Sequence, residues 1–159
     1  ISGNIAPMIE LGAGFHPEMT GAENVRFYSA LLGRDLKLVE NRITAIGDWA
    51  GVSDHMDLPL RTFSSGMVAR LAFAVATDQT ADVLLIDEVL SVGDIEFQTK
   101  SAERMQKLIS GGAAVVLVSH DLAAVRRLAT KAIWIDAGRV MKYGEVQEVT
   151  SEYESSFQN

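Results

Sequence analysis

Cysteine is absent from the 159-residue sequence, which removes disulfides and thiolate metal sites from consideration. Basic residues are scarce: 14 Lys and Arg stand against 21 Asp and Glu, a formal charge of −7. A general nucleic-acid surface needs clustered cations to neutralise phosphates, so no nucleic-acid partner is expected. No apolar run approaches the roughly 18 residues of a membrane span, and no charged start leads into a short apolar segment with a small-residue cleavage site. These absences predict a soluble, cytoplasmic chain. What is present, 48% hydrophobic and 22% charged residues, is the composition of one ordinary globular domain with enough apolar material for a core. The first residue is Ile1 rather than Met, and "ISGNIAPMIEL" reads like the middle of a strand, so a fragment of a longer domain is expected.

After that strand, Gly12, Gly14, Pro17 and Gly21 mark a loop. A helix then starts at Thr20 or Gly21 and stops near Gly33. Leu38, Ile43, Ile46 and Trp49 share one side of a second helix expected from Leu36 to about Trp49. The next helix starts near Ser65 and places Val68, Leu71, Ala72 and Val75 on one apolar face. The pattern then changes period. "VLLI" at 83–86 and "AAVVLVS" at 113–119 are continuous apolar runs, expected as strands covered on both faces of a parallel sheet. Between them lies a helix capped by Asp94 and stopped by Gly111 and Gly112. A short helix from Asp121 to about Leu128 leads into a hairpin turning at Ala137-Gly138, followed by a weakly helical tail. Trp49 and Trp134 are both expected in the core. The order separates into a helical part, about 12–77, and an α/β part, about 78–159, of one partial domain.

The polar groups fall where apolar strands end. "VLLIDE" closes in Asp87 and Glu88 at the carboxyl edge, where open α/β sheets place their ligands. Asp87 suits Mg²⁺, directly or through water, and Glu88, pointing elsewhere, suits polarisation of an attacking water. An isolated pair of this kind would be an acidic cap or a solvated loop. "VVLVSHD", however, delivers His120 to the end of a second strand, where it could hydrogen-bond a terminal phosphate. Alone it would more often be a capping or packing histidine, but two polar strand ends together favour a site. At "SSG", Ser64 and Ser65 offer hydroxyls, Gly66 lets a ligand approach the backbone, and the helix start favours an anion. Taken alone, such a turn is more often a plain serine N-cap on a core helix.

Taken in order, these motifs resemble the ATP-binding cassette (ABC) transporter ATPases. "FSSGM" at 63–67 resembles their signature loop, "VLLIDE" their Walker B strand, "SVGD" at 91–94 their D-loop, ending in Asp94, and "SHD" their switch histidine. "GFHPEMTGAENV" is similar to the segment after the Q-loop, and "DAGRVMKYGE" to the closing hairpin, so the resemblance covers nearly the whole chain. The Q-loop glutamine itself is missing, with Glu10 at or within one residue of its place. The Ser-Ser-Gly-Met signature and "ELGAGFHPEMTGAENV" resemble the cassettes that export polysaccharides such as O-antigen, capsule or teichoic acid.

The resemblance implies an α/β fold, a partial P-loop NTPase in which a helical subdomain precedes the second part of a mostly parallel sheet. It implies ATP and Mg²⁺ as ligands, a transmembrane permease docked beside the loop 12–18 through residues such as Phe15 and His16, and a second ATPase subunit. The protein would lie in the cytoplasm on the inner face of the membrane. Two such cassettes meet head to tail, so Ser64, Ser65 and Gly66 would hold nucleotide bound by the partner. Asp87 would hold the metal, Glu88 would be the base, and His120, Asp94 and Glu10 would serve nucleotide binding and hydrolysis. No G-x-x-x-x-G-K-[ST] loop occurs in the chain, so little or no ATPase activity is expected of it alone. A non-transport ABC-type ATPase and a catalytically dead interaction module are the alternatives.

Overall fold

Thr20 starts the first helix by a reciprocal pair of bonds. The Glu23 N–H donates to Thr20 Oγ1 at 3.2 Å, and the Thr20 N–H donates to Glu23 Oε2 at 2.8 Å, satisfying two of the amides that a helix start leaves open. The helix so begun, α1, spans Gly21–Leu31. The computed structural model describes residues 4–9, 11–87 and 94–157. Glu10, Glu88 and the first three residues of "SVGD" lie outside the described residues. Two compact units are distinguished, Ile1–Val116 and Leu117–Asn159.

In the first unit the single helix expected from Leu36 to Trp49 is two helices, α2 (Leu36–Glu40) and α3 (Ile43–Ala50). The break has a local cause. The Asn41 side-chain amide takes the Lys37 carbonyl at 3.2 Å, and the Arg42 N–H turns to the Val39 carbonyl at 2.8 Å, a tighter turn that ends the α-helical ladder. Gly51, at φ 67°, closes α3 in the left-handed region. Helix α4 (Ser65–Thr77) has the expected apolar face, with Leu71, Ala72 and Val75 fully buried. Val25, Tyr28, Ile46, Met56 and Phe63 pack around it to form the core.

The C-terminal carbonyls of α4 are capped from a distance. Arg34 donates to the carbonyls of Val75 and Ala76, and Arg104 donates to that of Thr77 at 3.2 Å. Both guanidiniums are held below the ordinary arginine pKa, chiefly by burial, with Asp78 opposing the shift. Trp49 is only partly buried rather than central. Its ring stacks on Phe73 at 5.7 Å, with the Arg104 guanidinium 4.3 Å from its centroid, so one side of the indole faces cations rather than core.

Strand β1 (Ile5–Met8) pairs in parallel with β2 (Val83–Asp87), Met8 opposite Ile86. Helix α5 (Ile95–Ser110) starts at the predicted cap, Asp94, and ends at Gly111, with Gly112 at φ 97°. Strand β3 (Ala114–Val118) follows, and the sheet order is β1-β2-β3. The expectation that both apolar runs are covered on both faces fails at β3. Its residues alternate between exposed and half-buried, with Val116 53% and Val118 63% accessible.

The second unit begins within β3. Helix α6 (Leu122–Leu128) is capped by Asp121. Strands β4 (Lys131–Asp136) and β5 (Arg139–Glu145) form the predicted antiparallel hairpin, its turn made by Ala137 and Gly138, both with positive φ. The tail forms helix α7 (Val146–Ser156), which packs on the hairpin. Trp134 is half-buried and lies edge-on to Tyr153 at 5.6 Å.

Candidate functional site

The parallel pairing of β1 and β2 sets their carboxyl ends side by side. Asp87 is the last residue of β2 and is half-buried there. An aspartate at such an edge offers a hard oxygen donor, the ligand type Mg²⁺ takes when one or two carboxylates are completed by water and phosphate. Glu10 and Glu88 lie outside the described residues. Among the described residues no three His, Cys, Asp or Glu side chains group as a metal cage.

Ser64 precedes α4 in an extended conformation, φ −67° and ψ 158°, and its Oγ accepts the Met67 N–H at 3.2 Å. The simpler expectation, a serine N-cap, is therefore realised. Ser64 and Ser65 are both exposed. Beside them a 13-residue helix begins, and the amides of a helix's first turn favour negative charge.

Gly66 is informative for what does not surround it. Its φ is not positive, and among the described residues a Cβ built there would meet only Ser64 Oγ, at 3.9 Å. Among the described residues neither backbone conformation nor packing requires glycine, although glycine in a helix costs roughly 0.5–1 kcal/mol relative to alanine.

Asp94 caps α5, its Oδ1 accepting the Phe97 N–H at 2.9 Å, while Oδ2 lies 3.5 Å from Arg70 Nη1 on α4. The helix that carries the Ser64 turn is thereby joined to the end of the "SVGD" segment. Sequence reading did not single out Arg70. It sits four residues after Gly66 on the same helix, and a lone arginine at that spacing reads as surface. His120 lies just beyond the end of β3, exposed, next to the α6 cap Asp121, and belongs to the second unit. The structure thus groups Ser64, Ser65 and Gly66 in one turn and links Asp94 to the same helix through Arg70.

Of the two loop residues expected to face a permease, Phe15 packs edge-on against Tyr28 at 5.4 Å, and His16 is exposed. Burial raises the Tyr28 phenol above its ordinary pKa. The His16 backbone is held by Asn24, a residue that sequence reading left unremarked.

No family model matches the sequence. Similarity to individual proteins is extensive. The chain is 44% identical over 153 residues to the O-antigen export system ATP-binding protein RfbB of Myxococcus xanthus, covering 96% of this chain and 35% of that protein. It is 38% identical over 154 residues to the protein of the same name from Klebsiella pneumoniae, covering 97% of this chain and 63% of that one. With the teichoic acids export ATP-binding protein TagH of Bacillus anthracis it shares 34% identity over 149 residues, 94% of this chain and 27% of the relative. The chain thus spans about a quarter to just under two thirds of the length of these relatives. Among solved structures, the ATP-binding subunit of an ABC transporter aligns with a TM-score of 0.76 at 21% identity, over 95% of this chain and 62% of that one. A dimeric ATP-binding cassette in a post-hydrolysis state with ADP and phosphate aligns with a TM-score of 0.67 at 20% identity, over 90% of this chain and 63% of that one. The chain has part of the ABC ATPase fold, and over nearly its whole length it is homologous to the ABC ATP-binding proteins of O-antigen and teichoic acid export systems.

Proposed function

We propose that this chain is the nucleotide-engaging part of a polysaccharide exporter's ATPase, and that its Ser64–Gly66 turn receives the terminal phosphate of ATP held by a second cassette. The observation that carries this reading is Gly66. Among the described residues nothing demands this glycine: it follows two exposed serines, and its Cβ would make only an ordinary contact with Ser64 Oγ at 3.9 Å. A phosphate approaching the backbone from another molecule supplies the missing reason, because only glycine lets the first-turn amides be reached closely. Ser64 and Ser65 add hydroxyl donors at the same point.

Asp87, at the end of β2, would hold Mg²⁺, which neutralises charge on the β- and γ-oxygens when bound. Glu88 would orient and deprotonate the attacking water, with His120 donating to the γ-phosphate and Glu10 standing in the place of the Q-loop glutamine. Asp94 would keep the segment before α5 in register with the Ser64 helix through Arg70. The intact transporter would pair two cassettes, closing on ATP and reopening on hydrolysis. A permease would dock on the loop 12–18, which places the protein on the inner face of the membrane. Among the described residues no helix is long and apolar enough to cross it. The chain contains no Walker A loop, so alone it would turn over ATP slowly or not at all.

The test is association in trans. Mixed with a Walker A-bearing cassette of an O-antigen export relative, the chain should associate in the presence of MgATP and separate in MgADP, as measured by analytical ultracentrifugation. Association indifferent to nucleotide would overturn the phosphate reading. Magnesium-dependent turnover by the isolated chain that Glu88→Gln abolishes would overturn its inactivity alone.

A further inference from the structure

Asn24 is a fully buried polar side chain, 0% exposed, in the first turn of α1. Its Oδ1 accepts the His16 N–H at 2.6 Å. Its Nδ2 donates to the carbonyls of His16 at 3.0 Å, Met19 at 3.1 Å and Thr20 at 2.9 Å. One amide therefore fixes both ends of the 16–20 segment. The opposite amide orientation would set an oxygen against three carbonyls, so this bonding determines how the side chain lies.

The segment held in this way carries a second one. The Leu60 N–H donates to the Met19 carbonyl at 2.8 Å, the Arg61 N–H to the Pro17 carbonyl at 2.9 Å, and the Gly21 N–H to the Leu58 carbonyl at 3.2 Å. From there the chain has little freedom. The Thr62 and Phe63 amides close a single 3₁₀ turn onto Pro59 and Leu60, both at 2.9 Å. Phe63 is buried beside Gly21, its ring 3.1 Å from where a Cβ on that glycine would lie. The next residue is Ser64.

We infer that Asn24 is a positioning residue for the Ser64–Gly66 turn. Through the Pro17 and Met19 carbonyls it makes the loop 12–18 and the start of α4 move as one body. This rests on the proposed function for its consequence: a partner docking on that loop would shift the phosphate-receiving turn directly, and a turn off by about 0.5 Å no longer matches its ligand.

The test replaces Asn24 by an isosteric group, Asn24→Asp, in the full chain. The carboxylate keeps the acceptor toward the His16 N–H and turns an anion toward the three carbonyls. Amide NMR shifts of His16, Leu60, Arg61 and Met67 should all change, and their hydrogen exchange should accelerate about tenfold or more. The hairpin amides of 131–145 should keep their shifts and rates. Acidification that protonates the new carboxyl restores a donor, so the Met67 shift should reverse in the variant, with the wild type as reference. A response confined to 16–20, or one spread equally over all amides, would overturn the positioning role. Should Asn24→Asp fail to fold, native-state exchange of the wild type in sub-denaturing urea decides. His16, Leu60, Arg61 and Met67 must share one opening, and independent opening of Met67 refutes the inference. Neither readout needs nucleotide, so uncoupled amides sink the positioning role, whereas nucleotide-indifferent association sinks the phosphate reading.

Discussion

The carboxylate of Asp78, with its side chain only 4% accessible, lies 2.8 Å from the Arg42 guanidinium. It also lies 3.6 Å from that of Arg104, whose Nε is committed to the Thr77 carbonyl. Among the described residues one buried acid, Asp78, thus balances the arginines that gather at the end of α4. Arg42 is held above the ordinary arginine pKa by its hydrogen bond to this acid. Removing it by Asp78→Ala would leave cations facing one another in partly desolvated surroundings. Breaking a well-buried pair costs about 3–5 kcal/mol, and Arg42 is half exposed, so a loss of about 2–4 kcal/mol is expected. Urea unfolding should show a lower midpoint at an unchanged m-value, and a midpoint within error of the wild type would show that Asp78 contributes nothing net.

The helical part should lose stability in acid through two named carboxylates. Glu23 is held below the ordinary glutamate range by its bonds to Thr20, backbone first, and Glu40 by its paired hydrogen bonds to Arg26. A carboxylate whose folded pKa is depressed binds protons more readily in the unfolded chain. Its contribution is therefore complete above the unfolded value, about 4.3, and is lost as pH falls through the folded value. Thermal melts from pH 6 to pH 3 should decline more steeply for the wild type than for Glu23→Gln, Glu40→Gln or both together. Parallel curves would show that neither group is linked to folding.

Much of this arrangement is legible in sequence because it is local. The helix start at Thr20 or Gly21, the caps at Asp94 and Asp121, and the Ala137-Gly138 hairpin turn are all local signals, and the structure realises each one. The interruption of the helix at Asn41 turns on one side chain competing for a carbonyl, which periodicity does not register. Asn24 was invisible for a different reason. A buried, fully bonded asparagine has the same letter as a solvated one, and only its partners distinguish them. The capping of α4 by Arg34 joins residues 41 and 42 positions apart, a separation that no local pattern encodes. Exposure of Val116 and Val118 was equally unreadable, because an apolar run reports what a strand can bury, not what lies against it.

Ser64 has two roles that substitution can separate. As the cap of α4 it satisfies the Met67 N–H, and Ser64→Ala should cost about 1 kcal/mol. Ser64→Asp caps as well as serine and suits the helix start, so its melting temperature should stay near that of the wild type. An added anion would nevertheless repel phosphate, and MgATP-dependent association should be lost in the aspartate variant alone of the two well-capped proteins. Association preserved in Ser64→Asp would mean that no anion meets this turn.

The sharpest contrast lies between two glycines. A Cβ at Gly21 would stand 3.1 Å from both Met56 Sδ and Phe63 Cζ and 3.2 Å from Met56 Cα, one of these being backbone that does not yield. Gly21→Ala should therefore overpack the core and cost about 1–3 kcal/mol, despite alanine's better helix propensity. At Gly66 a Cβ would meet, among the described residues, only Ser64 Oγ at 3.9 Å, and the backbone suits any residue. There Gly66→Ala should stabilise the fold by about 0.4–1 kcal/mol, by restricting the unfolded chain, and at the same time weaken MgATP-dependent association by placing a methyl where phosphate would approach. Denaturation and association measured on both variants separate the two reasons for a glycine. If Gly66→Ala instead destabilises the chain, the residue is explained by folding, and the open face of the turn loses its claim on a ligand.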